Sequence, residues 1–351
     1  MNIPERMRHF NVPGVSISYF ADGKIVWNKH FGTLEKGANR AVNNDSIFHA
    51  CSISKMVTAL CVLKLTQDGA LDLHRDVNEY LTSWKVPDNE FTGAKKVTLA
   101  NILAHQAGFY DIEGSFAPYR HGDNIPTAID ILKGLTPYSP EEILAKYIPE
   151  TDCEYSDAGY CIISQVMHDV FDETVTQIAK RIIFDPLGLS KTFFWEVGKD
   201  SYYGISMIEC AAGHDSNGDV VDDIRACYPN IAGAALWTTS NELASIVIDI
   251  MKSYHGQGGI ILSQETARLM LAPYGCVDDV GLGVFLNKDE DGEPYFFSQG
   301  WGIGMQCKLR AYYQQQSGVV VMTNSEPGME QDKALVGEII DYVFKNTSRL
   351  D

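Results

Sequence analysis

Strand-like segments are confined to the two ends of this 351-residue chain, and the middle is a run of short helical pieces broken by proline and glycine. Near the start, Val15–Phe20 and Ile25–Phe31 flank Ala21-Asp22-Gly23, a tripeptide suited to a hairpin turn. Near the end, Gly283–Leu286, Tyr295–Phe297, Met305–Tyr313 and Val319–Thr323 read as strands, followed by an amphipathic helix over Lys333–Phe344. A lone hairpin is not stable in water. The two ends are therefore expected to share one antiparallel sheet flanked by helices, an α+β fold. Met56–Gln67 is apolar on nearly every side and ends before Gly69, which predicts a buried helix with a glycine stop. Further helices are expected at Val97–His105, Pro140–Lys146, Tyr160–Phe171, Thr174–Phe184 and Glu242–Ser253. Residues 1–70 with 225–351 then form a discontinuous sheet domain, and residues 71–224 a mainly helical lobe, with a site between them.

Charge narrows the partners. With 28 Lys and Arg against 46 Asp and Glu, the net charge is −18, which repels nucleic acid and anionic membrane surfaces. No apolar run approaches the roughly 18 residues of a membrane span. The residues after Met1 contain no apolar signal core. The eight cysteines include no C-x-x-C pair, and Cys61 sits in an apolar run, as core cysteines do. These features point to the cytoplasm, with a processed or truncated start left open. The nine histidines show no ligand spacing, and phosphate, dinucleotide and zinc motifs are missing, so no metal or cofactor is expected. Asp215-Ser216-Asn217-Gly218-Asp219 reads as a turn rather than a calcium loop. Nothing here speaks to oligomeric state.

Three short segments carry chemistry. Ser52-Ile53-Ser54-Lys55 stands immediately before the apolar helix, where unpaired N–H groups favour developing negative charge. One turn separates Ser52 from Lys55, and burial would lower the lysine toward a useful base. The plain alternative is a capping serine followed by a solvated lysine. Tyr155-Ser156-Asp157 precedes another helix. Tyr155 acts as a general base if positive charge such as Lys55 lowers its pKa, and otherwise merely packs under a capping turn. Ser298-Gln299-Gly300-Trp301 ends a strand, where a small residue lets backbone N–H groups of Ser52 and Trp301 face an oxyanion. The alternative there is a glycine-rich corner packing a tryptophan.

Together these segments resemble the serine β-lactamase and penicillin-binding-protein superfamily, in the branch of class C β-lactamases, family VIII esterases and D-amino-acid peptidases. Phe48-x-x-x-Ser52-x-Ser54-Lys55-x-x-Thr58-Ala59 is similar to the first motif, Tyr155-Ser156-Asp157 to the second (Y-x-N), and Ser298-Gln299-Gly300 stands at the third (K-T-G or H-x-G). Val12-Pro13-Gly14-Val15, Leu103–Gly108, Asp185–Leu189, Ala232–Thr239 and Val319–Asn324 extend the likeness along the chain. The resemblance implies an acyl-enzyme on Ser52, with Lys55 and Tyr155 taking its proton and water deacylating through Tyr155. It also implies an oxyanion hole from the N–H groups of Ser52 and Trp301, and leaves His105 a structural residue.

Two departures shape the substrate. Asp157 replaces an amide with an acceptor-only carboxylate, suited to an ammonium, to a donor-rich substrate or to a salt bridge with Lys55. Ser298 removes the cation that opens the third motif, which weakens the case for β-lactams and for free D-Ala carboxylates. The reading is a serine hydrolase of a small ester or amide, esterase favoured, with Asp157, Ser298, Gln299 and Gly300 against the substrate. A D-amino-acid peptidase or amidase, a carboxypeptidase, a β-lactamase and a non-catalytic binding protein on the same fold are the alternatives. Selectivity falls to the loops between Phe109 and Pro140 and between Ser201 and Tyr228.

Overall fold

The computed structural model describes residues 1–111, 116, 126–136, 140–196, 201–202, 204–221 and 228–346. About half of the loop between Phe109 and Pro140, and residues 203 and 222–227 of the loop between Ser201 and Tyr228, lie outside these residues, as does the expected domain boundary at 224/225.

The two ends of the chain do share a sheet. Its six antiparallel strands run in the order β2-β1-β11-β10-β9-β8, with β1 at Gly14–Ala21, β2 at Lys24–Gly32, β8 at Phe285–Lys288, β9 at Pro294–Gly302, β10 at Met305–Tyr312 and β11 at Ser317–Thr323. The hairpin turn holds Asp22 and Gly23 at φ 51° and 69°, the left-handed pair that matches strand twist. Alternation assigns the faces. Val319 and Val321 of β11 join Val15 and Ile17 against α1 (Ile3–His9) and the terminal helix Leu335–Lys345. Val320 and Met322 face the larger core, which holds α2 (Ser54–Gln67). Burial on both faces explains why β11 reads as an unbroken apolar run.

Every residue of α2 from Ser54 to Leu63 is buried. The helix ends at Asp68, and Gly69 follows at φ 77°, the expected glycine stop. A smaller sheet, in the order β3-β7-β4, was not foreseen: β3 is Phe48–Cys51, β4 Phe193–Phe194 and β7 Leu236–Thr238. Its strands have two to four residues, too few for alternation to register. β5 (Ser201–Tyr202) and β6 (Ile205–Ser206) make a two-stranded ribbon.

Five short helices or turns of helix precede or follow the second long one: α3 (Glu90–Ala94), α4 (Leu99–Leu103) and α5 (Ala128–Leu132) come first, then α6 (Ala158–Phe171), α7 (Val175–Ala179) and α8 (Asp185–Leu187). A π-helical turn, Lys180–Phe184, joins the last two. α9 (Ile231–Ala234), α10 (Ser240–His255), α11 (Gln264–Met270) and α12 (Leu335–Lys345) complete the set. The helix expected at Pro140–Lys146 does not form. Its backbone bonds outward instead, from Ile143 N to Leu132 O (2.9 Å) and from Lys146 N to Gly108 O (2.7 Å), while Ala145 O accepts from Asn89 Nδ2 (2.7 Å). Residues 215–219 form the expected turn, with Asp215 Oδ1 accepting from the N–H groups of Asn217 and Asp219, each at 2.9 Å. No helix among the described residues is long and apolar enough to cross a membrane.

Candidate active site

Ser52 sits in the turn between β3 and α2 and caps nothing. The helix begins at Ser54 after Ile53, without a side-chain cap, while Ser52 O accepts from Lys55 N at 3.0 Å. Cys51, just before it, is held at φ 48°, a left-handed conformation that a non-glycine residue adopts only where its surroundings enforce it. Ser54 supplies that enforcement. Its hydroxyl donates to Cys51 O (2.5 Å) and accepts from Leu236 N (2.9 Å), tying the turn to β7.

Lys55 is buried, 3 % exposed, and all three of its ammonium hydrogens have acceptors. These are Asp157 Oδ1 at 2.5 Å, Gly233 O at 3.0 Å and Ser52 Oγ at 3.5 Å. Its nitrogen lies 4.7 Å from the centre of the Tyr155 ring and 5.4 Å from that of Tyr160. Burial alone would lower the lysine, as the sequence suggested. Asp157, and then Tyr155, outweigh burial, so Lys55 is held above its ordinary range as an ammonium. The expectation of a lowered lysine is corrected accordingly.

Tyr155 is 41 % exposed, with its ring 4.5 Å from that of His105 and facing the Lys55 ammonium across the cleft. Here too the expected direction reverses. Burial raises the phenol and Asp157 adds to the rise, so the charge of Lys55 offsets only part of it and Tyr155 ends above its ordinary value. Asp157 takes the salt-bridge option. Its Oδ1 accepts from Lys55 and, at 2.9 Å, from the buried Asn230 Nδ2.

Four residues outside the three short segments hold this arrangement, of which Asp111 and Asn230 were not anticipated from the sequence. Asp111 reaches the N-terminus of α6, accepting from Ser156 Oγ (2.9 Å), Ala158 N (3.2 Å) and the N–H of Asp157. Burial, with Asp157 close by, pushes its carboxyl up to about 6 despite those three donors. Asn230 caps α9 and binds Asp157 through both its backbone and side-chain oxygens. Gly233 has to be glycine, because a Cβ there would lie 2.2 Å from Asn230 Nδ2 and 2.9 Å from Asp157 Oδ1. His105 Nδ1 accepts from Ser156 N at 3.2 Å, and burial together with Lys55 pushes the ring down to about 3. A neutral imidazole with that nitrogen occupied is a scaffold for Ser156, as expected, rather than a base. For Asn230 the sequence carried a usable signal, an asparagine before the run Ile231-Ala232-Gly233-Ala234, which is how a helix cap reads.

The third segment closes the cleft. Ser52, Lys55, His105, Tyr155, Phe285, Ser298 and Gln299 line a narrow space of about 10 Å³, room for one water-sized group. β8 pairs with β9 only as far as Phe297, so the outer edge of β9 from Ser298 onward has no partner in β8. Gly300 lets that stretch approach β3, since a Cβ there would lie 2.2 Å from Ala50 O. Cys307 Sγ donates to the same carbonyl at 3.0 Å. Trp301 is half-exposed beyond it, its indole N–H donating to Glu326 Oε1 at 2.9 Å.

The Beta-lactamase family model matches residues 2–343. This chain belongs to the beta-lactamase family. It is 28 % identical to Penicillin-binding protein 4 of Amycolatopsis lactamdurans over 52 % of this chain and 45 % of that protein. It is 26 % identical to Penicillin-binding protein 4* of Bacillus subtilis (strain 168) over 48 % of this chain and 35 % of that one. The chain thus spans about half or less of the length of these curated relatives. Among solved structures, the D-amino acid amidase of Ochrobactrum anthropi SV3 superposes with a TM-score of 0.76 at 19 % identity, covering 99 % of this chain and 100 % of that one. The octameric penicillin-binding protein homologue of Pyrococcus abyssi gives a TM-score of 0.74 at 21 % identity, over 96 % and 75 %. At these identities the two structures establish the fold, an antiparallel sheet flanked by helices.

Proposed function

We propose that this chain is a serine hydrolase that passes through an acyl-enzyme on Ser52, acting on a small ester or amide, with esters favoured. The observation that carries the reading is the meeting of Ser52, Lys55 and Tyr155 in one cleft lining, with the Lys55 ammonium 3.5 Å from Ser52 Oγ and 4.7 Å from the centre of the Tyr155 ring. Lys55 has no lone pair to offer while it donates to Asp157, Gly233 and Ser52. The proton of Ser52 therefore passes to Tyr155, with the ammonium stabilising the phenolate that accepts it. The oxyanion is assigned to the N–H groups of Ser52, which lines the cleft, and of Trp301, which follows Gly300 on β9. Water then releases the acyl group through Tyr155. A base held above its ordinary pKa is scarce at neutral pH, and an ester asks less of it at leaving-group departure than an amide does.

Ser298 argues against substrates that present a free carboxylate. Among the described residues lining the cleft, Lys55 is the only cation, and it faces Asp157. A β-lactam or a peptide ending in D-Ala would find no partner there. The experiment is hydrolysis of p-nitrophenyl butyrate by the wild type and by Ser52→Ala, with circular dichroism to confirm folding of both. A loss of at least about 10³-fold in kcat/KM is expected. Equal rates in two folded proteins would sink the acyl-enzyme reading.

A further inference from the structure

A second cavity lies across the large sheet from the cleft at Ser52 and shares no residue with its lining. Its volume is about 420 Å³, within the range of sites that enclose small molecules. It is surrounded by α1, the loop leading into β1, the end of β2 and the turn at 217–218. The interior is apolar, formed by Pro4, Met7, Val12, Pro13 and Phe31, of which Met7 and Val12 are buried in the smaller core. At the mouth, a Cβ on Gly37 would meet nothing within 4 Å.

Charge selects what enters. In a chain with 46 acidic and 28 basic residues, this lining holds two bases, Arg8 and Lys36, and no acid. Lys36 is already committed, its ammonium 2.6 Å from Asp219 Oδ1. Arg8 is not. Every other described arginine has a carboxylate or a backbone carbonyl at its guanidinium. Arg8 meets neither among the described residues and stands exposed at the rim. A single uncommitted guanidinium suits one carboxylate, and the apolar interior takes hydrocarbon out of water.

We propose that this cavity is a binding site for a small carboxylate with an apolar body, a medium-chain fatty acid in its simplest form. The carboxylate pairs with Arg8, and the chain lies against Met7, Val12 and Phe31. A phosphate monoester carries about two charges, more than the one uncommitted cation at the rim can match. The site stands whether or not Ser52 forms an acyl-enzyme, because none of its residues belongs to that cleft.

Isothermal titration calorimetry with octanoate, butyrate and octylammonium tests it on the wild type, Ser52→Ala, Arg8→Glu and Arg8→Lys, with circular dichroism to check the folding of each. Octanoate is expected to bind the wild type and Ser52→Ala alike. Butyrate, shorter by about four methylenes, is expected to bind at least about tenfold more weakly. Arg8→Glu is expected to weaken octanoate by about tenfold or more, and Arg8→Lys, which keeps the charge without the fork, by less. Octylammonium is expected not to bind. Four results overturn the proposal: no binding of octanoate to the wild type, binding lost in Ser52→Ala, affinity unchanged in folded Arg8→Glu, or octylammonium bound as well as octanoate. Sedimentation that shows a wild-type dimer, split by Arg8→Glu and untouched by octanoate, also overturns it, because the occupant is then a second copy of the chain.

Discussion

Asp157 reverses the expected electrostatics of its neighbours. The sequence suggested a buried lysine lowered toward a base and a tyrosine lowered by that lysine. A carboxylate 2.5 Å from Lys55 makes the lysine a settled ammonium and takes back much of what its charge would do for Tyr155. We therefore expect an acid limb of kcat/KM on the alkaline side of neutrality. In Asp157→Asn the amide keeps the shape, the phenol loses a nearby negative charge, and the limb moves to lower pH with higher activity at pH 7. A pH–rate profile of the two proteins on p-nitrophenyl butyrate checks this. Superimposable profiles would mean that Asp157 does not act on the base.

The elements that bring Ser52 and the third segment together are short and were only partly legible. β1, β2, β10, β11 and α2 could be read from alternation, the Asp22-Gly23 turn and an apolar helix, because each is long enough for its period to show. Ser52, Lys55 and Tyr155, singled out from their motifs, do meet in one cleft lining. β3, β7 and the cap supplied by Asp111 could not, since strands of a few residues have no period and a cap reaching 46 residues along the chain leaves no local signature. Pro140–Lys146 misled for a related reason: its composition suits a helix, but its backbone partners lie in other segments. Gly300 is where the small sheet and the large one meet. Gly300→Ala places a Cβ 2.2 Å from Ala50 O. It is expected to cost about 1–3 kcal/mol by urea denaturation and to lower kcat more than tenfold by moving β9 away from Ser52. Wild-type stability and rate in that variant would show that the approach of the strands is dispensable.

Across the whole molecule, two buried groups set opposing responses to acid. His105 is pushed down to about 3, so the unfolded chain takes up its proton first, and stability falls as the pH drops below about 6.5. Asp111 is pushed up to about 6, so the folded protein takes up its proton first, and stability rises as the pH falls through that value. Between pH 7 and pH 5 the first effect removes about 2 kcal/mol and the second returns about 1 kcal/mol. In Asp111→Ala, whose baseline is lower through loss of the α6 cap, the acid fall should be the steeper one. Urea denaturation of both proteins at the two pH values gives the difference, and equal slopes would refute the assignment. The same long reach governs how the site comes into being. Lys55 meets Asp157 across 102 positions of chain and Gly233 across 178. No local folding unit contains Ser52, the Lys55 ammonium and the Asp157 carboxylate together. During refolding, the proposed hydrolysis of p-nitrophenyl butyrate should therefore return behind the far-ultraviolet signal of the helices, which makes turnover a clock for the completion of folding.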